Sequence, residues 1–117
     1  MIQIALIAYI LLIIALSLIP TPVANSGMYS DKIAHLLAYG VMGILAFLSV
    51  KGIKMRIYLF IIVFSLGLIL EIFQIYIPGR DMSYYDILAN TAGAGLGYVL
   101  GWLILLSLKS DSEKLSC

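Results

Sequence analysis

Charge is what this chain has least of. Only 11% of its 117 residues are Asp, Glu, Lys or Arg, against about 25% in a soluble domain. There is one histidine, His35, and one cysteine, Cys117. A lone cysteine excludes an intrachain disulfide and a multi-cysteine zinc site. A net charge of +1 leaves no basic footprint for nucleic acid. No serine or cysteine nucleophile motif supports covalent catalysis. Internal repeats and low-complexity tracts are absent. Lys and Arg are also missing ahead of the first apolar run, which is longer than a usual signal-peptide core. That run is therefore expected to be an uncleaved membrane span.

What fills the space is hydrocarbon. Hydrophobic residues make up 63% of the chain, and the mean hydropathy is +1.12. These values define an integral membrane protein of one domain, 1–117. A span needs about 20 mostly apolar residues. Four segments qualify: 3–19, 31–50, 57–77 and 84–108. The expected fold is all-α, a polytopic four-transmembrane-helix bundle. Pro20-Thr21-Pro22 with Asn25-Ser26-Gly27 marks the first turn, and Pro78-Gly79-Arg80-Asp81 the third. A polar tail follows over 109–117.

Basic residues bias toward the cytoplasm. Lys51, Lys54 and Arg56 crowd the 51–56 loop without an acid. The tail carries Lys109 and Lys114. The stretch 20–30 has no basic residue, and the 78–84 turn has only Arg80. Both termini are thus expected in the cytoplasm, with the tail 109–117 cytoplasmic. Tyr29, Tyr76, Tyr84 and Tyr85 fit an aromatic belt at the outer boundary, and Tyr58 fits the inner one.

Three of the four spans carry a polar pair at helical spacing near the outer end. The pairs are Asp31 with His35, Glu71 with Gln74, and Asp86 with Asn90. Residues three or four apart share a helix face. Each of the three helices thus offers a polar face at similar depth. Several members have a plain structural explanation. Ser83-Tyr84-Tyr85-Asp86 reads as a capping box. Asp31 suits the first turn of a helix. Lys32 suits a snorkelling role at the head groups. Gln74 suits an interhelical hydrogen bond, Tyr39 and Tyr98 suit packing, and Asp81 suits a solvated turn. Glu71, His35 and Asn90 have no such excuse. An ionisable group in mid-membrane costs about 2.5–3.5 kcal/mol on the lenient insertion scale and points to function.

Asp86, Asn90, Gly93, Gly97 and Gly101 also form one stripe along the last span. Gly67 shares the face of Glu71 and Gln74. Small residues let membrane helices approach closely. Asn90, Gly93 and Gly97 are therefore expected to face the Glu71 side of the third span. The alternative is a homodimer seam through Gly93, Gly97 and Gly101.

Taken in order, these residues resemble a known family. Asp31-Lys32-Ile33-Ala34-His35, then Tyr39 and Gly43, then Glu71 and Gln74, then Arg80, then Asp86-Ile87-Leu88-Ala89-Asn90 with Gly93 and Gly97, look like the VanZ-like family. The resemblance covers roughly 28–101, and its ordered set is more specific than any single piece. It implies a small protein of the bacterial inner (plasma) membrane, linked to the cell envelope. The family's namesake contributes to resistance to teicoplanin, a lipoglycopeptide that binds cell-wall precursor ends. The resemblance supplies no established reaction.

Three functional readings compete. In the leading one, Lys32, His35, Glu71, Gln74, Arg80, Asp86 and Asn90 bind an anionic head group. The ligand is a membrane lipid or a lipid-linked envelope precursor. Arg80 clamps phosphate or carboxylate through its planar fork. No metal or cofactor enters this reading. In the second, the chain is a membrane enzyme that hydrolyses or transfers a lipid-linked head group. His35 acts as base beside Asp31 or Glu71, a desolvated Glu71 acts as acid, and Asp86 is a further catalytic candidate. Its minority form places a divalent ion on His35 with Asp31, Glu71 or Asp86. In the third, the polar set is a structural lock. A conducting channel is disfavoured, because the inner halves of the spans offer almost no polar lining.

Overall fold

The computed structural model describes residues 1–19, 28–78 and 83–116, without the side chains of 28–31. The turn signals at 20–27 and 79–82, Arg80, Cys117 and the side chain of Tyr29 lie outside the described residues. Four helices carry the chain: α1 (Ile2–Leu18), α2 (Met28–Ser49), α3 (Ile53–Gln74) and α4 (Tyr84–Ser116). There is no strand among the described residues. The fold is an all-helical membrane bundle. Helices α2, α3 and α4 are long and apolar enough to cross a membrane, whereas α1 has 17 residues. That is the low end of the usual span of about 17–25. Ile4, Ile7, Leu11, Leu12 and Leu16 are exposed on α1, as suits a helix facing lipid.

The helix ends depart from the expected spans for physical reasons. Helix α3 starts at Ile53, so Lys54 and Arg56 sit in its first turn instead of a loop. Gly52 precedes it at φ +85° and ψ 146°, a conformation essentially reserved for glycine. At the other end α3 stops at Gln74, three residues early. Ile75, Tyr76 and Ile77 bond back to Ile72, Phe73 and Gln74 at 3.0–3.2 Å. These three-residue steps tighten the chain ahead of Pro78, which disfavours helix at the residue before it. Helix α4 overruns its expected end. The polar tail from Lys109 is helical to Ser116. No glycine or proline follows Gly101 to stop it, and Lys114 in the last turn complements the helix dipole.

Three side chain–backbone bonds fix an alternating up-and-down arrangement. Gln3 Nε2 donates to the Ser49 carbonyl at 2.8 Å. Tyr9 Oη donates to the Ala38 carbonyl at 2.8 Å. Gln74 Nε2 donates to the Ser17 carbonyl at 3.3 Å. The start of α1 thus meets the end of α2, and the end of α1 meets the end of α3. Between them lies a core that includes Leu6, Ile13, Met42, Val63, Leu70 and Ala94.

The most extensive contact joins α2 to α4. The glycine stripe of α4 packs here, not on α3 as its spacing suggested. A Cβ on Gly93 would strike the Leu36 carbonyl oxygen, and one on Gly97 would strike that of Gly40. A Cβ on Gly43 would lie 2.5 Å from the Ala94 carbonyl oxygen. Gly101 makes room for Phe47, whose Cβ would be 2.9 Å away. The reason is complementarity. Helix α2 offers its own small residues, Gly40 and Gly43, so backbone meets backbone. Gly67 of α3 instead makes room for large groups: a Cβ there would lie 3.1 Å from the Tyr39 ring and 3.4 Å from Asn90 Nδ2. Gly93, Gly97 and Gly101 are buried within the chain.

Away from Glu71, a second set of contacts closes the other end. Tyr98 Oη donates to the Arg56 carbonyl at 2.6 Å. Arg56 Nε donates to the Phe47 carbonyl at 3.1 Å, and its guanidinium lies 4.0 Å over the Phe47 ring. Tyr98 meets Phe47 and Phe60 edge-on, with centroids 5.4 and 5.0 Å apart. Sequence reading treated Arg56 only as a topology signal. Its neighbours are backbone carbonyls and rings, which leave no pattern in the sequence.

Candidate functional site

The close approach of α2 and α4 determines what happens at the Glu71 end. Lys32 and His35 lie early in α2, Asp86 and Asn90 early in α4, and Glu71 late in α3. Because α2 and α4 run together at backbone distance, their polar residues face each other directly. Tyr39, 3% exposed, and Gly67 form the apolar floor beneath them.

His35 Nδ1 lies 2.9 Å from Asn90 Oδ1. The amide oxygen accepts, so the shared proton sits on Nδ1. Glu71 Oε1 stands 3.9 Å from the same nitrogen. That is an ion-pair distance, too long for a hydrogen bond. Asn90, rather than a carboxylate, therefore makes the hydrogen bond that orients the imidazole at Nδ1. Lys32 Nζ reaches Asp86 Oδ1 at 3.4 Å and lies 5.6 Å from the centroid of the Tyr85 ring. The expected snorkelling lysine is thus a partner of Asp86. Its side chain is 25% exposed, whereas that of Asp86 is 6% exposed. Lysine forms the rim and the acid lies inside. Ser83 starts α4 by accepting the backbone amides of Asp86 and Ile87 at 3.1 and 3.3 Å.

Glu71 is 1% exposed, and Asn90 is also buried. His35, Glu71 and Asp86 each offer one ligand atom, and these atoms lie within 4.8 Å of one another. One imidazole and two carboxylates from three different helices thus converge. The structure therefore brings together Lys32, His35, Glu71, Asp86 and Asn90. It sets Gln74 apart: that residue is buried and gives its amide nitrogen to the α1 backbone. Asp31 lies in α2, but its side chain is outside the described residues, as is Arg80.

Chemically, the cluster combines a hydrogen-bonded imidazole, two buried carboxylates, an amide and a rim ammonium. Such an arrangement can hold a polar head group, a cation or a proton. It belongs to a small helical membrane protein with an intramembrane ionisable site. The chain belongs to the VanZ/LLP1 family, whose model matches residues 6–106. No curated protein and no solved structure matches it significantly.

Proposed function

We propose that this VanZ/LLP1 member binds the head group of an envelope lipid or lipid-linked precursor at the Lys32–His35–Glu71–Asp86–Asn90 cluster. The convergence of these groups from three helices at one buried place carries this reading. Magnitudes favour a site over a lock. A buried ionisable group in a membrane helix is costly, up to about 2.5–3.5 kcal/mol at the bilayer centre. Interhelical polar contacts in membranes return on average about 0.6 kcal/mol. The α2–α4 glycine contact already fixes the bundle without them. Lys32 at the rim meets a phosphate oxygen, with Arg80 as its expected partner. Glu71 and Asp86 accept from head-group hydroxyl or ammonium groups. A role in teicoplanin resistance follows if a lipid-linked precursor is the ligand.

Short-chain phosphatidylglycerol, added to the purified protein in detergent, is expected to raise its melting temperature. Short-chain phosphatidylcholine is expected to do so less. Lys32→Met and Arg80→Lys are expected to abolish the difference while keeping the fold. Equal shifts for both lipids in wild type and variants would refute head-group recognition here.

The same proposal places the protein in the bacterial inner membrane with both termini in the cytoplasm. The basis is the basic cluster of Lys51, Lys54 and Arg56. A membrane-impermeant maleimide is expected to label Cys117 in inverted vesicles and not in intact spheroplasts. The opposite pattern would move the site to the inner leaflet.

A further inference from the structure

We infer that His35, Glu71 and Asp86 form a binding site for one first-row divalent cation such as Mn²⁺ or Zn²⁺, which bridges the protein to a head-group phosphate. The bridging role rests on the head-group reading of this cluster; the ion site itself does not.

Three independent observations point to a cation. The first is spacing. Ligands on opposite sides of one ion at about 2.1 Å are about 4.2 Å apart, and neighbouring ligands are closer. The three ligand atoms lie within 4.8 Å of one another, so side-chain rotation that draws them in by up to about 1.4 Å reaches the roughly 3.4 Å between neighbouring ligands of a tetrahedral ion. The 3.9 Å between His35 Nδ1 and Glu71 Oε1 is too long for a hydrogen bond. Nδ1 gives its proton to Asn90, which leaves Nε2 as the ring nitrogen able to meet an ion. The second is donor chemistry. One imidazole nitrogen with two carboxylate oxygens suits a borderline ion, whereas an all-oxygen set suits Mg²⁺ or Ca²⁺. Asn90 Oδ1, 2.9 Å from the ring, is either a further oxygen donor or the group that orients the imidazole. The third is charge. The buried carboxylates of Glu71 and Asp86 lie in one cluster, and the contact of Asp86 with the rim ammonium of Lys32 is long, at 3.4 Å. A phosphate entering beside two carboxylates is repelled. A divalent ion reverses that sign, and its open coordination positions accept phosphate oxygens.

The site is assembled from α2, α3 and α4, and each supplies one ligand. Lys32 has a particular place in this scheme. It competes with the ion for Asp86, so its loss strengthens cation binding. A lysine that merely completes a structural lock would have no such effect.

The test uses the full chain, purified in detergent, stripped with EDTA and titrated with MnCl₂ alone, without added lipid. Bound Mn²⁺ is counted by electron paramagnetic resonance. One ion per chain is expected in wild type, with coupling to an imidazole nitrogen in the pulsed spectrum. Glu71→Gln and Asp86→Asn are expected to bind at least tenfold more weakly, and Lys32→Met several-fold more tightly. Wild type that binds no more Mn²⁺ than the Glu71→Gln/Asp86→Asn double variant overturns the site. So does bound Mn²⁺ without nitrogen coupling, a readout that requires no variant to fold. Weaker binding in Lys32→Met also overturns it. The phosphatidylglycerol shift, repeated with EDTA and with Mn²⁺, separates the two proposals. A shift in EDTA as large as that in Mn²⁺ overturns the bridge and leaves head-group recognition intact. Ion binding without any lipid shift supports the ion site and refutes the head group as its partner.

Discussion

Gly97→Ala is expected to destabilise this protein severely, while Gly95→Ala, two residues earlier, leaves it intact or slightly firmer. Both add one methyl group to the same helix. At Gly97 the new carbon would overlap the Gly40 carbonyl oxygen and lie 2.9 Å from Gly43 Cα. These are backbone atoms, so relief requires α2 and α4 to move apart along their main interface. Overpacking of this kind costs about 1–3 kcal/mol, and occasionally more. The backbone obstacle places Gly97→Ala at about 3 kcal/mol or above. Scaled as in soluble domains of this size, that lowers the melting temperature by roughly 10–20 °C. Around Gly95 there is open space within 4 Å. The helix there gains from alanine up to about 1 kcal/mol of propensity. Melting curves of the two variants in one detergent decide the matter. Equal midpoints would remove the close α2–α4 contact from the account.

Glu71→Gln is expected to abolish function while leaving the melting temperature unchanged or a few degrees higher. The side chain is 1% exposed, so an ionised carboxylate there carries a desolvation cost. Glutamine retains the shape and much of the hydrogen bonding. A neutral amide of the same shape is also spared the desolvation cost that a buried carboxylate carries. A structural lock predicts the opposite, a fall of several degrees with any functional loss following it. The readout pairs melting temperature with lipid-dependent stabilisation and with teicoplanin susceptibility of cells that depend on the protein. A loss of at least tenfold in lipid affinity is expected. Full function in Glu71→Gln would remove Glu71 from the site.

Much of the site was legible because polar and ionisable residues are rare in hydrocarbon. Glu71, His35 and Asn90 stood out on that ground alone, and the structure brings His35 together with both others. Their partners were less legible. The stripe of Gly93, Gly97 and Gly101 announced a close contact, but a stripe does not name the helix it meets. The missing signal was the matching series on α2, where Gly40 and Gly43 follow Leu36 at helical spacing. Read together, the two series pair with each other and leave Gly67 to make room for Tyr39 and Asn90. Gln74 looked like a site residue because it shares a face with Glu71. Its partner is the Ser17 carbonyl, and backbone acceptors carry no residue-type signature. The ends of α3 shifted for local reasons, glycine geometry at Gly52 and the turn before Pro78. The extension of α4 to Ser116 depends on the absence of a stop signal, which a hydropathy boundary at 108 does not register.

The pairing of α2 with α4 has a consequence for how the chain is made. Synthesis proceeds from the amino terminus at about 5–20 residues per second. Helix α2 therefore enters the bilayer several seconds before its partner leaves the ribosome. During that interval Lys32 has no Asp86, His35 has no Asn90, and Gly40 and Gly43 present bare backbone. Helix α1 can brace α2 meanwhile through Tyr9 and Gln3. The polar cluster, however, comes into being only when the last helix arrives. A nascent chain stalled before residue 84 is thus an intermediate with its charges unmatched, the natural target for insertases that shelter polar segments and for proteases that remove orphaned ones.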